Sequence, residues 1–356
     1  MREQRLEWIV DECRFAAVEA AWDALAANQP TPFSRHAWVA HWWRAFAADA
    51  PLRICLLWED EELVGALPLM ARSRRLVAMA NDHTPLFAPP ARDERVLTVL
   101  GGALMGSRAG EVELSALPSD GEALRHLRRA SYEAGRRTVA EPQHVSPFVD
   151  MSGTYEQFRA ESKPRWGAPL ERFRRKMGRE YDATFSLVES PDDLEGELER
   201  GLRVEASGWK ARAGTSILSQ PSTASFYRSV ARTYHAAGEL KLSAISLNGE
   251  LVAFDLSLLH NDRLWLLKTG FDESYRRLAP GLVLRLSIIE RCFQLGLAGH
   301  ELLGDDSEWK RKFANGQRAH SRLWAYRARA VPMLRYAYRR WTRPRLRRAY
   351  HRLQSR

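Results

Sequence analysis

The sequence predicts an α/β fold in which two domains, each built on a mixed sheet, follow one another. Three observations lead to this prediction. The 356 residues match the length of two ordinary domains. An order of two helical patterns, a strand meander and then alternating helices and strands occurs twice along the chain. In the second half, Asn248-Gly249 and Asn261-Asp262 separate three apolar runs, as turn residues do between hairpin strands.

The first domain is predicted at 1–150. Its apolar periodicity indicates four helices and five strands, which are helices at 16–27, 34–47, 92–101 and 120–134, and strands at 52–58, 62–70, 75–80, 111–117 and 136–150. A Pro-rich loop between the third strand and the third helix contains His83. We interpret it either as a loop histidine with a backbone partner or as a residue that lines a cleft between the two domains.

A basic connecting segment, 151–182, leads to the second domain, predicted at 183–330. We interpret the charge run of this segment as a solvated helix face, with phosphate or nucleic-acid contact as the alternative. The second domain has six predicted strands with helices between them. These are strands at 183–190, 240–247, 251–260, 263–271, 299–303 and 320–328, and helices from 191, at 222–237, 282–296 and 307–314.

The net charge of +10 comes from the last 28 residues. They contain ten arginines and no lysine or acidic residue, and removing these ten leaves 44 basic residues against 44 acidic ones. Segment 331–356 is therefore predicted as a separate Arg-rich tail. Leu334, Tyr338 and Trp341 share one helical face, which is typical of a helix that lies on an anionic membrane surface. RNA binding and docking to a protein are the alternatives, and nucleic acid is the less expected partner.

Composition excludes several other classes. Three scattered cysteines, Cys13, Cys55 and Cys292, have no metal-ligand spacing, so no metal site and no disulfide framework is expected. The charged N-terminus resembles no secretory signal, and no apolar run reaches the roughly 18 residues of a spanning helix. We expect a cytoplasmic protein that is peripheral on the inner membrane.

The third strand of the second meander leads into a loop that suits an anion. The loop contains Arg276 and Arg277 and ends at Pro280-Gly281, where a helix begins. Backbone N–H groups point outward at a helix start, and the helix dipole favours negative charge there. Arginine adds forked hydrogen bonds that fit phosphate. The sequence therefore predicts a site for the pyrophosphate of a coenzyme.

The order of elements resembles the GNAT acyltransferase fold, and specifically the Acetyltransf_6 family, which includes cellulose-biosynthesis-type acetyltransferases and is related to the FemAB transferases. The matching pieces fall in order on the predicted elements: PFSRHAWVAHWW (32–43), NDHTPL (81–86), EASGWK (205–210), LVAFDLSL (251–258), LKTGFDESYRRLAPG (267–281) and GDDSEWKRKFA (304–314). The resemblance implies two GNAT-like domains in tandem, the second with the phosphate loop. Pro280 occupies a position where the usual motif has glycine.

The resemblance implies an acyl-CoA:amine N-acyltransferase, with acyl-CoA or another thioester as co-substrate. The predicted donor-binding residues are Lys268, Thr269, Gly270, Arg276, Arg277, Gly281 and Leu282. Candidate acids and bases are Asp272, Glu273, Asp305, Asp306 and Tyr275, since a general base must deprotonate the amine. The acceptor is expected to contact Glu205, Trp209, Lys210, Lys310 and His83.

The amine acceptor is expected to be a lipid or an amino sugar of a cell-envelope precursor. Two alternatives stay open. One is FemAB-like transfer of an amino acid from tRNA, which the double domain and the basic 163–179 segment favour. The other is a non-enzymatic role in envelope assembly.

Overall fold

The computed structural model describes residues 3–162, 167–208, 214, 216–343 and 345–346. The chain forms two compact units: unit 1 comprises 1–43, 47–144 and 319–356, and unit 2 comprises 44–46 and 145–318. The predicted α/β class with mixed sheets is confirmed. The last predicted strand, 320–328, was placed with the second domain, whereas these residues belong to unit 1.

Unit 1 contains two sheets and the helices that cover them. Its elements are β1 (Gln4–Ile9), α1 (Glu12–Ala17), α2 (Glu19–Ala26), α3 (His36–Phe46, whose last turn is assigned to unit 2), β2 (Ile54–Glu59), β3 (Glu62–Leu67), β4 (Leu69–Arg72), β5 (Arg75–Ala78), α4 (Glu94–Gly106), β6 (Glu111–Pro118) and α5 (Glu122–Glu133). Strands β1, β2 and β3 form an antiparallel sheet. The sequence analysis did not include β1, and it joined β3 and β4 into one strand. Pro68 separates them because it has no N–H for the ladder.

Strands β7 (Arg137–Asp150) and β13 (Gly316–Tyr326) each contribute residues to both units. In unit 1, the second sheet has the order β4, β5, β6, β13, and β13 pairs antiparallel to β6 from His320 to Tyr326. The buried core of this unit includes Leu100 of α4, Leu114 of β6 and Leu127 of α5. Helix α12 (Ala330–Ala337) follows β13 and continues as a π-helical turn over Tyr338–Thr342.

Unit 2 contains the rest of the helices and strands. These are α6 (Tyr155–Ser162), α7 (Gly167–Glu180), β8 (Ala183–Glu189), α8 (Leu194–Glu205), α9 (Pro221–Ala236), β9 (Leu240–Leu247), β10 (Glu250–His260), β11 (Arg263–Phe271), α10 (Pro280–Gln294), β12 (Gly299–Glu301) and α11 (Glu308–Phe313). Its strand order is β7, β12, β11, β10, β9, β8, and only β11 and β12 are parallel neighbours.

Both predicted hairpin turns are present. Asn248 and Gly249 have φ of 52° and 82°, and Asn261 and Asp262 have φ of 48° and 54°. Positive φ at both central residues matches the twist of the flanking strands, and Asn, Asp and Gly tolerate it best. These two turns fix β9, β10 and β11 as a meander, which carries helix α10 on one face through Leu284 and Ile288.

No helix within the described ranges combines the length and the apolar character that crossing a membrane requires.

Candidate acyl-transfer site

Strand β11 extends well beyond its neighbour β12. The parallel pairing covers only Arg263, Leu264 and Trp265, whereas β11 continues to Phe271. A bulge at Leu267 shifts the register with β10, and a bulge bends its strand. The sheet therefore opens at this edge, at the carboxyl end of a parallel pair, where α/β sheets place their ligands.

A cavity of about 390 Å³ occupies this opening. All of its lining residues belong to unit 2, and they come from β11, the end of α8, the loop before α10, α10 itself and α11. They are Glu205, Gly208, Thr269, Gly270, Phe271, Glu273, Arg276, Ala279, Gly281, Leu282 and Trp309. Seven of these eleven are residues that the sequence analysis had selected.

The two faces of β11 give the cavity two different walls. Gly270 faces α8 so closely that a β-carbon there would lie 2.4 Å from the α-carbon of Glu205. Phe271 faces α10, and a β-carbon at Gly281 would lie 3.1 Å from its ring. One wall therefore carries the end of α8 and the other the start of α10, which allows two substrates to approach the β11 backbone from opposite sides.

Glu205 is the last residue of α8 and is only 2% exposed. Its Oε2 accepts a hydrogen bond of 2.9 Å from the Ile217 N–H, which ties the carboxylate to the following 3₁₀ turn. Burial raises the pKa of the nearby Tyr227 hydroxyl, and the negative charge of Glu205 raises it further. Lys268 lies on the same side of the sheet, with its Nζ 5.0 Å from the centre of the Tyr227 ring.

Glu273 is the one predicted base that lines the cavity. It opens the 3₁₀ turn Glu273–Leu278, and its Oε1 would lie 3.2 Å from a β-carbon at Gly208. The cavity thus has two carboxylates, Glu205 and Glu273, near the end of α8. Such a pair attracts a cationic or amine-bearing molecule and provides an acceptor for its proton.

The start of α10 offers fewer backbone N–H donors to an anion than a glycine-rich loop does. Ala279 adopts a left-handed conformation with φ of 48°, and Pro280 follows as the first residue of the helix, without an N–H. The N–H groups of Leu282 and Val283 both donate to the carbonyl of Ala279. Within the described part of the chain, the Gly281 N–H makes no such bond and remains available beside Arg276.

The other predicted acids and bases lie outside the lining. Asp272 caps the 3₁₀ turn, where its Oδ1 accepts from the Ser274 N–H at 2.8 Å. Tyr275 donates to Glu250 at 3.1 Å, and burial together with this bond raises its pKa. Asp306 lies 3.6 Å from Arg311, and the backbone carbonyl of Asp305 accepts from Lys310.

Lys310 holds the loop that follows β12. Its Nζ donates to the carbonyl oxygens of Leu303 and Asp305, and it lies 5.6 Å from the centre of the Trp309 ring. Among the remaining predicted residues, Arg277 is exposed and does not line the cavity. His83 belongs to unit 1, where its N–H donates to Asn81. Trp209 and Lys210 fall outside the described residues.

A buried charged cluster supports the α10 wall. Arg285 of α10 is paired with Asp255 of β10 and donates to Nε2 of His300 at 2.5 Å, while the His300 Nδ1–H donates to the Leu264 carbonyl at 2.9 Å. Burial and the Arg285 charge lower the pKa of His300 to about 3, so its imidazole is neutral. Arg285 also lies 5.6 Å from the Trp309 ring, which connects the cluster to the cavity.

The sequence analysis did not select this cluster, nor Phe271, Trp309, Gly208 and Ala279 of the lining. A signal for the cluster was present: Asp255 and Arg285 are single charges inside apolar runs, which indicates a buried pair. Trp309 had no such signal, because its position depends on how early β12 ends.

Residues 168–311 match the model of a family described as an acetyltransferase (GNAT) domain. Over these residues, unit 2 is similar to a GNAT acetyltransferase domain. The match includes α8, the meander, α10 and the first part of α11, and therefore every lining residue of the cavity. The resemblance found in the sequence is confirmed for residues 168–311.

Solved structures show the same fold over both units. The C-terminal domain of a putative lysylphosphatidylglycerol synthetase from Agrobacterium fabrum has 14% identity and a TM-score of 0.55, over 90% of this chain and 95% of that one. FemX has 10% identity and a TM-score of 0.57, over 90% and 97%. A conserved protein of unknown function from Bacteroides thetaiotaomicron has 12% identity and a TM-score of 0.51, over 91% and 100%. Curated protein sequences gave no significant match.

Proposed function

We propose that the GNAT domain transfers an acyl group from acyl-CoA to an amine of a cell-envelope lipid or glycan precursor at the inner-membrane surface. The observation that carries this proposal is the pair of carboxylates, Glu205 and Glu273, on one wall of a cavity whose other wall carries Arg276 and the start of α10. One wall suits an amine, and the other suits a phosphorylated donor.

The donor occupies the α10 wall. Its pyrophosphate contacts Arg276 and the Gly281 N–H, and its pantetheine arm contacts the apolar side chains of Phe271, Leu282 and Trp309. The thioester carbonyl lies along β11, where a backbone N–H in the Lys268–Gly270 stretch stabilises the oxyanion that develops during attack. The single free N–H at the helix start makes the phosphate contacts depend strongly on Arg276.

The acceptor occupies the α8 wall. An alkylamine is protonated near neutral pH, with a pKa of about 10.4 for a lysine-like group, so it must lose a proton before it attacks. Glu205, fixed by the Ile217 N–H, orients the amine. Glu273, which is partly exposed, takes the proton. The nitrogen then forms the new bond to the carbonyl carbon and releases its second proton to solvent. The carbon–sulfur bond breaks, and the thiolate leaves and is protonated by solvent.

Transfer from tRNA is supported less well. Three of the five basic residues of α7, which prompted it, pair with acidic neighbours: Arg174 with Glu171 and Glu290, and Lys176 and Arg179 with Glu180. This pairing reduces the positive charge that α7 offers to a phosphate backbone. FemX shares the fold, and that likeness alone does not select the donor.

The experiment is an acylation assay with the purified full chain. Acetyl-CoA and dodecanoyl-CoA are the donors, and glucosamine, a long-chain amino alcohol and an extract of envelope precursors are the acceptors, with the N-acylated product detected by mass spectrometry. We expect product with at least one acceptor class and at least a hundredfold less with Glu273→Gln. If amino acids are transferred from charged tRNA while acyl-CoA yields no product, the donor assignment is wrong. If neither donor yields product, the enzymatic proposal fails and the assembly role is favoured.

A further inference from the structure

Helix α12 is fixed against unit 1 by three of its arginines. Arg335 pairs with Glu111, and Arg339 donates to the Tyr326 hydroxyl at 2.8 Å. Arg343 pairs with Glu141 at 2.9 Å. The Arg339 guanidinium also lies 3.6 Å from the centre of the Trp324 ring, within the range of a cation–π contact. The helix therefore has a defined orientation on the domain and presents a fixed outer side.

The outer side of this helix is apolar. Leu334 is 71% exposed, Tyr338 54% and Trp341 53%, and they lie at i, i+4 and i+7, as the sequence predicts. Val331, one turn before Leu334, is 56% exposed. A row of exposed aromatic and aliphatic side chains on one helix face is unusual for a soluble surface, and Tyr and Trp favour the interface between water and lipid.

An arginine groove lies beside this face. It is a cavity of about 1160 Å³ in unit 1, between the β4–β5 turn, the loop before β6 and the start of α12. Six arginines line it: Arg53, Arg74, Arg75, Arg108, Arg329 and Arg335. Arg335 is paired with Glu111 and Arg75 with Glu113.

Three of the groove arginines, Arg74, Arg108 and Arg329, are exposed, and no acidic residue in the described part of the chain pairs with them. Three unmatched guanidinium groups around one groove create a strongly positive potential and offer forked donors that fit phosphate oxygens. The groove therefore has the chemistry of a site for anionic phosphate groups.

The groove and the apolar face are continuous. Val331 lines the groove and also belongs to the exposed face, and Arg335 lies between the two. A free phosphate would use the arginines and leave the apolar side chains in water. A nucleic acid would likewise contact the arginines and leave Leu334 and Val331 in water. A bilayer of anionic phospholipid uses both, because its phosphates lie directly above its apolar interior.

We propose that unit 1 docks on an anionic phospholipid surface, with headgroup phosphates in the arginine groove and Leu334, Tyr338 and Trp341 inserted at the interface. Each arginine near such a surface strengthens binding by about fivefold. The arrangement specifies which side of unit 1 faces the membrane. It is independent of the acyl-transfer proposal, because no residue of the GNAT cavity takes part.

The test is co-sedimentation of the full-length protein with vesicles of equal parts phosphatidylglycerol and phosphatidylcholine, and with vesicles of phosphatidylcholine alone. The groove variant is Arg74→Gln/Arg108→Gln/Arg329→Gln. Its charge-matched control is Arg128→Gln/Arg200→Gln/Arg203→Gln, at exposed arginines outside the groove. The face variant is Leu334→Ser/Tyr338→Ser/Trp341→Ser, and its control is Tyr132→Ser/Leu295→Ser, at exposed apolar residues elsewhere.

We expect the wild type to bind anionic vesicles, and the groove and face variants to bind at least tenfold more weakly, with both controls and all melting temperatures nearly unchanged. The proposal is overturned if the wild type does not prefer anionic vesicles, or if the charge control loses as much binding as the groove variant. Single-stranded RNA and inorganic phosphate are the other probes. If the groove variant loses binding to either one while the face variant binds vesicles normally, the surface recognises phosphate without lipid and the proposal is wrong.

Discussion

The backbone of Glu205 at the end of α8 lies directly against Gly270 of β11. A β-carbon at Gly270 would approach the Glu205 α-carbon to 2.4 Å and its backbone nitrogen to 2.9 Å. These atoms belong to the main chain and cannot turn away as a flexible side chain can. The distance between the two elements therefore sets the width of the cavity where acyl transfer is proposed.

Gly270→Ala is expected to displace α8. Overpacking of this kind costs about 1–3 kcal/mol of unfolding free energy, and the shift of Glu205 should lower turnover at least tenfold. Gly178→Ala is the control, because Gly178 lies in α7 with nothing within 4 Å of an added β-carbon. Helix propensity should make that variant more stable by about 0.5–1 kcal/mol. Urea unfolding and turnover measured on both variants check this, and equal behaviour of the two would show that the contact does not constrain the site.

The two cavity carboxylates are expected to have different roles. Glu273→Gln should lower kcat by about 10²–10⁴-fold, the usual contribution of a general base. Glu205→Gln should mainly raise KM for the amine. Asp272→Asn is the matched control: Asp272 adjoins Glu273 and caps the 3₁₀ turn. It should keep both its kcat and its stability, because Asn caps a helix about as well as Asp does. A kcat loss for Asp272→Asn as large as that of Glu273→Gln would move the base outside the cavity.

The two loop arginines should also differ. Arg276 lines the cavity and Arg277 does not, although both are exposed. Since α10 offers a single free N–H to phosphate, Arg276→Gln is expected to raise the donor KM at least tenfold, and Arg277→Gln less than threefold. Steady-state kinetics with varied acyl-CoA measure this. Equal effects would indicate that the arginines act only through the general charge of the loop.

Stability should fall in mild acid because of His300. Its pKa in the folded protein is about 3, whereas the ordinary value is 6.5. His300 in the unfolded chain therefore binds a proton below pH 6.5, whereas His300 in the folded protein binds it only below about pH 3. The stabilisation is present above pH 6.5 and is lost as pH falls toward 3.

Between pH 7 and pH 5, this one group should account for a loss of about 2 kcal/mol in the free energy of unfolding. Urea unfolding at the two pH values measures the difference. His300→Gln should reduce that difference by the same amount, even if the variant is less stable at both pH values. An unchanged difference would mean that His300 does not remain neutral in the folded protein.

Local chemistry made part of the fold predictable. The Asn248-Gly249 and Asn261-Asp262 turns, with positive φ at all four residues, and the start of α10 at Pro280 follow from conformational preferences of single residues. The lining positions on β11 and in the loop before α10 could be predicted because the sequence located both β11 and α10 correctly.

Features that depend on pairing between distant strands could not be predicted from the sequence. The last strand joins β6 through pairs such as His320 with Pro118, some 200 residues apart, and no local pattern reports such a partner. Trp309 lines the cavity and Asp305 and Asp306 do not, although all three follow β12, which stops at Glu301. Among the candidate bases, the sequence could name the carboxylates near strand ends, and the geometry was needed to separate Glu273 from the others.

Hydrogen–deuterium exchange of the full chain, with and without dodecanoyl-CoA, tests the central proposal most directly. The account predicts slower amide exchange in segment 268–283, which contains the end of β11, the loop and the start of α10, and a smaller protection in Arg276→Gln. Protection confined to other segments, or no protection at millimolar donor, would contradict it.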